Sequence, residues 1–294
     1  MKLSRILSVV VLVTLVIFVG RALSQSQKCF LWKIQSKTST VYVLGSIHLA
    51  KKEVYPLHQK IEDAFVRSDA LVVEANINDI KNIDTQKIME DAFYPANDAL
   101  EKHVSPETFE WVKKETDGLG IPLELLNKQK PWFLAMTLVA LESIRLGLDP
   151  NLGIDKYFLS KAEGKKKIIE LESLEYQISL LSGFSDKDQE LFLIYTLKDL
   201  HVMEQEVNPL IQAWVSGDTQ RMESILTRSV SEDKRLSGIF EKLIFERNRE
   251  MASKIEDFLR TKETYFVIVG AGHLVGSRGV IGLLGGKGYL IEQL

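Results

Sequence analysis

The stretch VYVLGSIHL at residues 41–49 is a β-branched, buried-type strand followed by glycine, two residues, histidine and leucine. The same pattern returns as FVIVGAGHL at residues 266–274, near the other end of the chain. A glycine at a strand end lets the backbone turn sharply or lets a ligand approach closely, so Gly45 and Gly270 are predicted to shape the two turns. If the two strands are neighbours in a sheet, the turns bring His48 and His273 together across a cleft.

The remaining strand signals cluster toward the two chain ends, and the middle of the chain has a helical pattern. Strands are predicted at 40–44, 70–73, 167–171, 265–269 and 289–291, and helices at 56–66, 106–115 and 132–146. From 185 to 260 there is scarcely any strand signal, and Pro209 and the Ser216-Gly217-Asp218 turn are predicted to divide this helical region. The pattern predicts an α/β (mixed α+β) protein, with a central sheet from strands near both ends and a large all-helical middle insertion.

Composition limits the domain count and the class of partner. The chain has 294 residues, of which 45% are hydrophobic and 26% charged, and a formal net charge of −3. No Pro/Gly/Ser-rich linker divides it, so residues 25–294 are predicted to form one domain. Acidic and basic residues are interspersed and no basic stripe with aromatic residues is present, which argues against a nucleic-acid partner.

The N-terminus has the pattern of a targeting segment. Lys2 and Arg5 precede an apolar run over residues 6–20, and Ala22-Leu23-Ser24 matches a small-x-small cleavage site. The run is short for a membrane span, which favours a removed signal peptide at residues 1–24 over an uncleaved membrane anchor through residues 6–20. Either reading predicts an exported protein, periplasmic or secreted. Cys29 is the only cysteine, so no intramolecular disulfide is expected. We interpret it as a bystander, a residue without a structural or chemical role.

Three side chains at the ends of predicted strands are candidates for a catalytic or metal-binding site. Imidazole is a common ligand of divalent transition metals and the usual general base near neutral pH. Glu74 directly follows the predicted strand at residues 70–73, so it is a candidate metal ligand or a base that activates water. Two histidines and a carboxylate form a familiar catalytic metal set, here His48, His273 and Glu74. The alternatives are hydrogen-bonded structural histidines and a glutamate that acts as a helix cap or ion-pair partner.

Other polar residues carry weaker signals. Glu170-Leu171-Glu172 ends another predicted strand, and Gln177 follows on the next predicted helix. Arg247 and Asn248 lie in an amphipathic helix over residues 241–259. An inward-facing arginine would hold a substrate carboxylate or stabilise an oxyanion. On pattern alone, a solvated helix surface is the favoured reading of these residues.

The order of these motifs resembles the TraB/GumN family across essentially the whole chain after residue 24. The matching segments are Leu31-Trp32-Lys33-Ile34, Gly45-Ser46-Ile47-His48-Leu49, Tyr55-Pro56-Leu57, Val72-Val73-Glu74, Lys130-Pro131-Trp132, Gly153-Ile154-Asp155, Gly164-Lys165, Leu171-Glu172-Ser173, Gln177, Trp214-Val215-Ser216-Gly217-Asp218, Arg247-Asn248, Val269-Gly270-Ala271-Gly272-His273-Leu274 and Gly288-Tyr289. That family is similar to the Tiki metalloproteases, and more distantly to erythromycin esterases and a haem-binding ChaN-like group.

The resemblance implies a divalent-metal-dependent hydrolase using Mn, Co or Zn. It implies that His48, His273 and Glu74 are metal ligands, that Glu74, Arg247 and Asn248 are catalytic residues, and that Gly45 and Gly270 shape the turns. A metallopeptidase acting on a peptide or protein substrate is the leading prediction. Two alternatives stay open: a metal or haem carrier without turnover that uses the same histidines, and a scaffold whose histidines are structural.

Overall fold

The computed structural model describes residues 28–78, 84–228 and 233–294. The predicted signal segment, residues 1–24, and the candidate anchor within it, residues 6–20, lie outside the described residues. Within the described ranges, no helix combines the length and the apolar character needed to cross a membrane. Export and membrane attachment therefore stay predictions from the sequence.

One mixed sheet organises the described part of the chain. Its strand order is β4-β3-β5-β2-β1-β6. The strands are β1 (Leu31–Gln35), β2 (Thr40–Ser46), β3 (Ala70–Val73), β4 (Lys167–Glu170), β5 (Thr264–Gly270) and β6 (Leu290–Gln293). Strands β4, β3, β5 and β2 run parallel, whereas β1 is antiparallel to both β2 and β6. The mixed α/β fold is confirmed, and β4 interrupts the predicted helical middle.

The two strands of the repeated pattern are neighbours, as the sequence predicts. β2 and β5 pair in parallel, with Gly45 opposite Val269 and Ser46 opposite Gly270. Both are almost entirely buried, as expected of parallel strands covered by helices on both faces. Their carboxyl ends therefore meet at one edge of the sheet, and β3 lies beside β5 on the side away from β2.

Strand β1 is absent from the sequence prediction. Its residues, LWKIQ, contain one β-branched side chain, Ile34, and two polar side chains, so a search for β-branched runs passes over it. The strand forms because it fills the gap between β2 and β6, where Leu31 and Ile34 are fully buried.

Helices cover both faces of the sheet and form a separate layer beside it. The α-helices are α1 (Gln59–Arg67), α2 (Thr85–Ala92), α3 (Pro106–Gly118), α4 (Pro131–Arg145), α5 (Ile154–Ala162), α6 (Leu174–Ser182), α7 (Asp186–Ser216), α8 (Thr219–Leu226), α9 (Ser237–Phe240), α10 (Arg247–Leu259), α11 (Ala271–Leu274) and α12 (Val280–Gly286). A π-helical segment, Glu241–Glu246, joins α9 to α10, and short 3₁₀ turns occupy Lys52–Val54, Leu100–Lys102, Leu123–Leu125, Pro150–Leu152 and Lys234–Leu236.

Two of the predicted helix starts are explained by the residues of the cap and the first turn. The Ser105 hydroxyl caps α3 by accepting from the backbone N–H of Thr108, with Pro106 in the first turn. Pro131 similarly opens α4. Both predicted starts are confirmed.

The prediction that Pro209 divides the helical region is wrong, because Pro209 lies inside the 31-residue helix α7. Proline there removes one backbone donor, and the carbonyl that loses its partner belongs to the exposed Gln205, where water can serve it. The predicted break at Ser216-Gly217-Asp218 is confirmed. Gly217 takes the left-handed conformation, with φ of 67°, and Asp218 caps α8.

The protein has separate hydrophobic clusters for its sheet and its helical layer. The larger cluster surrounds the sheet and includes Phe30, Phe158, Phe266 and Trp214. A second cluster joins α3, α4 and α7. The long helix α7 belongs to both, because its first half packs in the helical core and Trp214 near its end packs on the sheet.

Cys29 is not a bystander. It is 2% exposed, its backbone N–H donates to the Leu294 carbonyl over 2.7 Å, and its thiol contacts the same oxygen. Burial raises the pKa of the Cys29 thiol to about 11. The residue therefore acts as a small core side chain that helps fasten β1 to the end of β6.

Candidate functional site

The carboxyl ends of the four parallel strands converge on one group of polar side chains. His48 follows β2, His273 follows β5, Glu74 follows β3 and Glu172 follows β4. Ligand sites of parallel sheets lie at this edge, and the topology brings these residues together from distant parts of the chain.

Gly270 lies at the centre of the group. A Cβ on this residue would be 3.3 Å from Glu74 Oε1, 3.5 Å from His273 Cδ2 and 3.6 Å from His48 Nε2. Its φ of −51° is open to any residue, so glycine is not required here for a left-handed turn. Glycine keeps this space open, because a Cβ would press on Glu74 Oε1 and touch both histidine rings at ordinary contact distance.

Gly45 does not shape a turn. It lies within β2, which continues through Ser46, and its φ is not positive. A Cβ at Gly45 would collide with the ring of Phe30. The carbonyl of Gly45 accepts a 2.6 Å hydrogen bond from Trp214 Nε1. The turn-shaping role predicted for Gly45 is therefore corrected to a packing role.

His273 is buried and fixed in orientation. Its Nδ1 lies 2.6 Å from Asn248 Oδ1, and the amide of Asn248 donates to the Arg278 carbonyl over 2.9 Å. That second bond assigns Oδ1 as the acceptor, so Nδ1 carries the ring proton and Nε2 keeps its lone pair. Nε2 lies 3.9 Å from Glu74 Oε1. Burial lowers the pKa of His273 below its ordinary value, and the charge of Arg247 acts in the same direction.

His48 is the exposed member of the group. Its side chain is 61% exposed, and its Nδ1 lies 2.8 Å from Asp155 Oδ2. The Ser46 hydroxyl donates to the same carboxylate oxygen. Although desolvation opposes it, the negative charge of Asp155, with that of Glu74, raises the pKa of His48 to about 9. Both histidines are thus held through Nδ1; Nε2 of His48 lies on the Gly270 side and Nε2 of His273 lies near Glu74.

Asp155 has no assigned role in the sequence analysis, although it belongs to a motif of the family resemblance. It lies in the first turn of α5 and is buried. The segment before it docks on the His48 turn, because the Ile154 N–H donates to the Ile47 carbonyl over 3.1 Å. A Cβ on Gly153 would collide with the His48 carbonyl oxygen. No periodicity marks this contact, which depends on two backbone segments meeting in space.

Arg247 and Asn248 point inward, so the solvated reading of these residues is wrong. The Arg247 side chain is 11% exposed. Its Nη2 donates to Glu74 Oε2 over 3.0 Å and to Glu172 Oε2 over 2.8 Å, its Nε donates to Glu172, and its Nη1 donates to the Leu243 carbonyl. The guanidinium therefore orients two carboxylates, and this network leaves it poorly placed to bind an oxyanion. The π-helical segment that precedes Arg247 is a helix defect often found at functional sites.

The Arg247 network holds Glu74 in its charged form. Gln177 Nε2 donates to Glu172 Oε2 over 3.0 Å and approaches Glu74 Oε2 at 3.3 Å, and the Gly270 N–H donates to Glu74 Oε1. Burial alone would raise the pKa of Glu74, but the nearby histidines, Arg247 and the Gly270 N–H lower it below its ordinary value. Glu172 and Gln177, for which the sequence favours a solvated position, thus support the carboxylate at the centre of the site.

The donor groups are gathered around Gly270 but not closed into a coordination sphere. Among the described residues, no three His, Cys, Asp or Glu side chains converge closely enough to count as a ready-made metal set. The described contacts therefore provide candidate ligands and their supporting hydrogen bonds.

Comparison with known proteins assigns the chain to a family. The sequence profile of the TraB/PrgY/gumN family matches residues 30–293. The chain belongs to the TraB/PrgY/gumN family. No solved structure matches it significantly.

Relatives of this TraB/PrgY/gumN member include bacterial and animal proteins. The chain is 30% identical to the uncharacterised protein YbaP of Escherichia coli, over 80% of this chain and 84% of YbaP. It is 24% identical to an uncharacterised protein of Treponema pallidum, over 89% of this chain and 81% of that protein. It is 23% identical to a metalloprotease Tiki homologue of the sponge Amphimedon queenslandica, over 92% of this chain but 62% of the sponge protein.

Two recesses meet at His48 in this TraB/PrgY/gumN protein. One is a mostly apolar cavity of about 420 Å³ that also borders His273 and Gly270. The other is a smaller cleft of about 240 Å³ that borders Glu74, Asp155 and Gln177. The site thus borders a strongly apolar cavity and a cleft with a larger share of polar side chains, a combination typical of ligand-binding sites.

Proposed function

We propose that this TraB/PrgY/gumN protein is a divalent-metal-dependent hydrolase that acts as a metallopeptidase on peptide or protein substrates. The observation that carries the proposal is the common tethering of the two imidazoles. His48 and His273 each donate through Nδ1, to Asp155 and Asn248, which leaves each Nε2 free on the side of Gly270 and Glu74: His273 Nε2 lies 3.9 Å from Glu74 Oε1, and His48 Nε2 would lie 3.6 Å from a Cβ on Gly270. Metal-binding histidines are typically oriented in this way by a carboxylate or carbonyl acceptor. The relatives named metalloprotease Tiki support the same reaction class.

The donor chemistry fits a divalent cation. Two imidazole nitrogens, that of His48 after release of its proton, and a carboxylate oxygen suit Zn, Mn or Co. Three buried carboxylates, Glu74, Glu172 and Asp155, surround the site, and Arg247 and the protonated His48 balance two of these charges. A bound cation would compensate the excess negative charge. Because the His48 ring is exposed, it is the member with room to adjust toward a cation.

The chemistry required is the addition of one water across a C–N bond: the water oxygen joins the carbonyl carbon, and its protons end on the departing amine and the new acid. A divalent cation held by His48, His273 and Glu74 would polarise the carbonyl and acidify the water. Arg247 keeps Glu74 ionised and in place, and Asn248 keeps the His273 proton on Nδ1. Glu74 is available as a ligand, or as the base that moves the proton.

Removal and return of metal tests this proposal. Chelation is expected to abolish peptide hydrolysis, and one of Zn, Mn or Co should restore it. The Glu74→Gln variant separates the two roles of Glu74: loss of bound metal identifies a ligand, whereas retained metal with lost turnover identifies a base. Hydrolysis that persists after exhaustive chelation contradicts the proposal. Haem absorbance in the purified protein, with no hydrolysis under any ion, would support a carrier instead.

Asp155→Asn tests the support of His48. The amide keeps a similar shape but removes the charge that makes the imidazole a stronger donor to metal. We expect metal affinity to fall by about 10- to 100-fold, as for other outer-shell substitutions, with little change in thermal stability. Isothermal titration with Zn²⁺ measures the effect. Asp149→Asn, at the half-buried N-cap of the 3₁₀ turn Pro150–Leu152, is the matched control, and equal affinities for both variants would contradict the role of Asp155.

We also propose that the protein works outside the cytosol, in the periplasm or after secretion. The proposal is supported by the basic residues, apolar run and small-x-small pattern of residues 1–24. N-terminal sequencing of protein recovered from the extracytoplasmic fraction is expected to show a start near residue 25. Recovery in the cytosol with residue 1 intact would contradict it.

A further inference from the structure

We propose that the apolar cavity beside the two histidines is a substrate-specificity pocket that receives a bulky apolar side chain next to the scissile bond of a peptide. The inference rests on the proposed peptide hydrolysis and adds a substrate class to it.

A second recess adjoins the cavity. It has a volume of about 390 Å³, lies in the helical layer and shares part of its lining with the 420 Å³ cavity. The shared lining residues are Val139, Met203, Glu206, Leu210, Leu226 and Ile244. The cavity of about 420 Å³, which borders His48 and His273, has by itself room for a large apolar side chain.

The lining selects against negative charge. Apolar side chains from α4, α7, α8 and the π-helical segment make up most of the wall. The charged side chain common to both cavities is Glu206, whose Oε1 accepts a 2.6 Å ion-paired hydrogen bond from Arg228 and whose buried Oε2 has no hydrogen-bond partner among the described residues. A substrate carboxylate would therefore lose its hydration and meet the like charge of Glu206, whereas an aliphatic or aromatic side chain would bury apolar area.

The position of the pocket links it to the reacting bond. Ser46, His48, Gly270 and His273 form one end of the cavity, so a side chain placed inside it belongs to a residue whose carbonyl or amide lies at the strand ends. The second cleft, which shares His48 with the cavity and is bordered by Glu74 and Gln177, offers space for the rest of the peptide backbone. The chemistry is supplied by the sheet and the pocket wall by the helical layer.

The test compares cavity-filling variants on matched peptides that differ only at one residue. Wild-type protein should cleave peptides with Phe or Leu beside the cut at least about 10-fold faster, in kcat/KM, than the same peptides with Asp. Leu210→Trp on α7 and Val139→Phe on α4 should reduce kcat/KM for the Phe peptide by about 10-fold or more and change that for the Ala peptide little. Val215→Trp, on the same helix as Leu210 but 41% exposed, is the control and should behave like wild type.

Folding of each variant is checked by circular dichroism and melting temperature, and two variants on different helices keep the test decisive if one fails to fold. Cleavage without preference for apolar residues, or equal losses of kcat/KM on Phe and Ala peptides, would overturn the proposed pocket while leaving the proposed function standing.

If no peptide is cleaved with any metal, the proposed function fails, and binding of a fluorescent Phe-containing peptide then tests the proposed pocket. Binding that Leu210→Trp abolishes would support it, and absent or unaffected binding would overturn it.

Discussion

His273→Ala is expected to abolish metal binding and to lower kcat/KM for peptide hydrolysis by at least about 1,000-fold. His273 is the buried member of the histidine pair, and its orientation is fixed by Asn248. Alanine removes the one nitrogen in this position that can reach a cation beside Glu74, and no described side chain is placed to replace it. Metal content by inductively coupled plasma mass spectrometry, measured with turnover on the same sample, checks the result.

A matched histidine outside the site provides the control for that prediction. His201 lies on α7 with a 52% exposed side chain that pairs with Glu115. His201→Ala should keep the full metal content and activity. If His273→Ala retained both properties at the parental level, the centre described at Gly270 would not be the active site.

Arg247→Leu is expected to destabilise the fold by about 3–5 kcal/mol, because it leaves Glu74 and Glu172 buried without their common counter-charge. The effect has a definite pH dependence. The pKa of Glu74 is lowered in the folded protein, so its contribution is present above its unfolded pKa and is lost as the pH falls through the folded value. The difference between variant and wild type should therefore be largest near neutral pH and shrink in acid.

Urea unfolding of chelated protein at pH 7 and pH 4 measures this difference. Arg249→Leu is the control, because Arg249 lies on the same helix with a 52% exposed side chain paired to Glu241. Exposed pairs of this kind contribute about 0–1 kcal/mol. Comparable losses for the two variants would show that the Arg247 network is not the main support of the buried carboxylates.

The strand-end histidines could be predicted because their signal is local. A buried strand followed by glycine and histidine occurs twice, and parallel pairing of β2 and β5 is the simplest arrangement that brings the two histidines to the same edge of the sheet. Glu74 could be predicted for the same reason, because it follows β3 directly. The three site residues that could be predicted are therefore those whose neighbours in the chain indicate a strand end.

The supporting residues could not be predicted because they act from outside the local pattern. Whether Arg247 faces water or the sheet depends on the helical phase set by the π-helical segment, which periodicity alone does not reveal. Asp155 reaches His48 through docking between two backbone segments about a hundred residues apart in sequence. Strand β1 was missed because its place is decided by the partners on either side and not by its own composition.

The separate origins of the chemistry and the pocket wall have an evolutionary consequence. The reacting side chains end the parallel strands and the wall is formed by α4, α7 and α8, of which α4 and α7 are anchored in part by a hydrophobic cluster separate from that of the sheet. Mutations in the wall can therefore accumulate without moving the histidines or the carboxylates. A lineage that inherits this scaffold could acquire new substrates by drift in the helical layer, and exchanging that layer between relatives should transfer substrate preference while the hydrolytic centre stays the same.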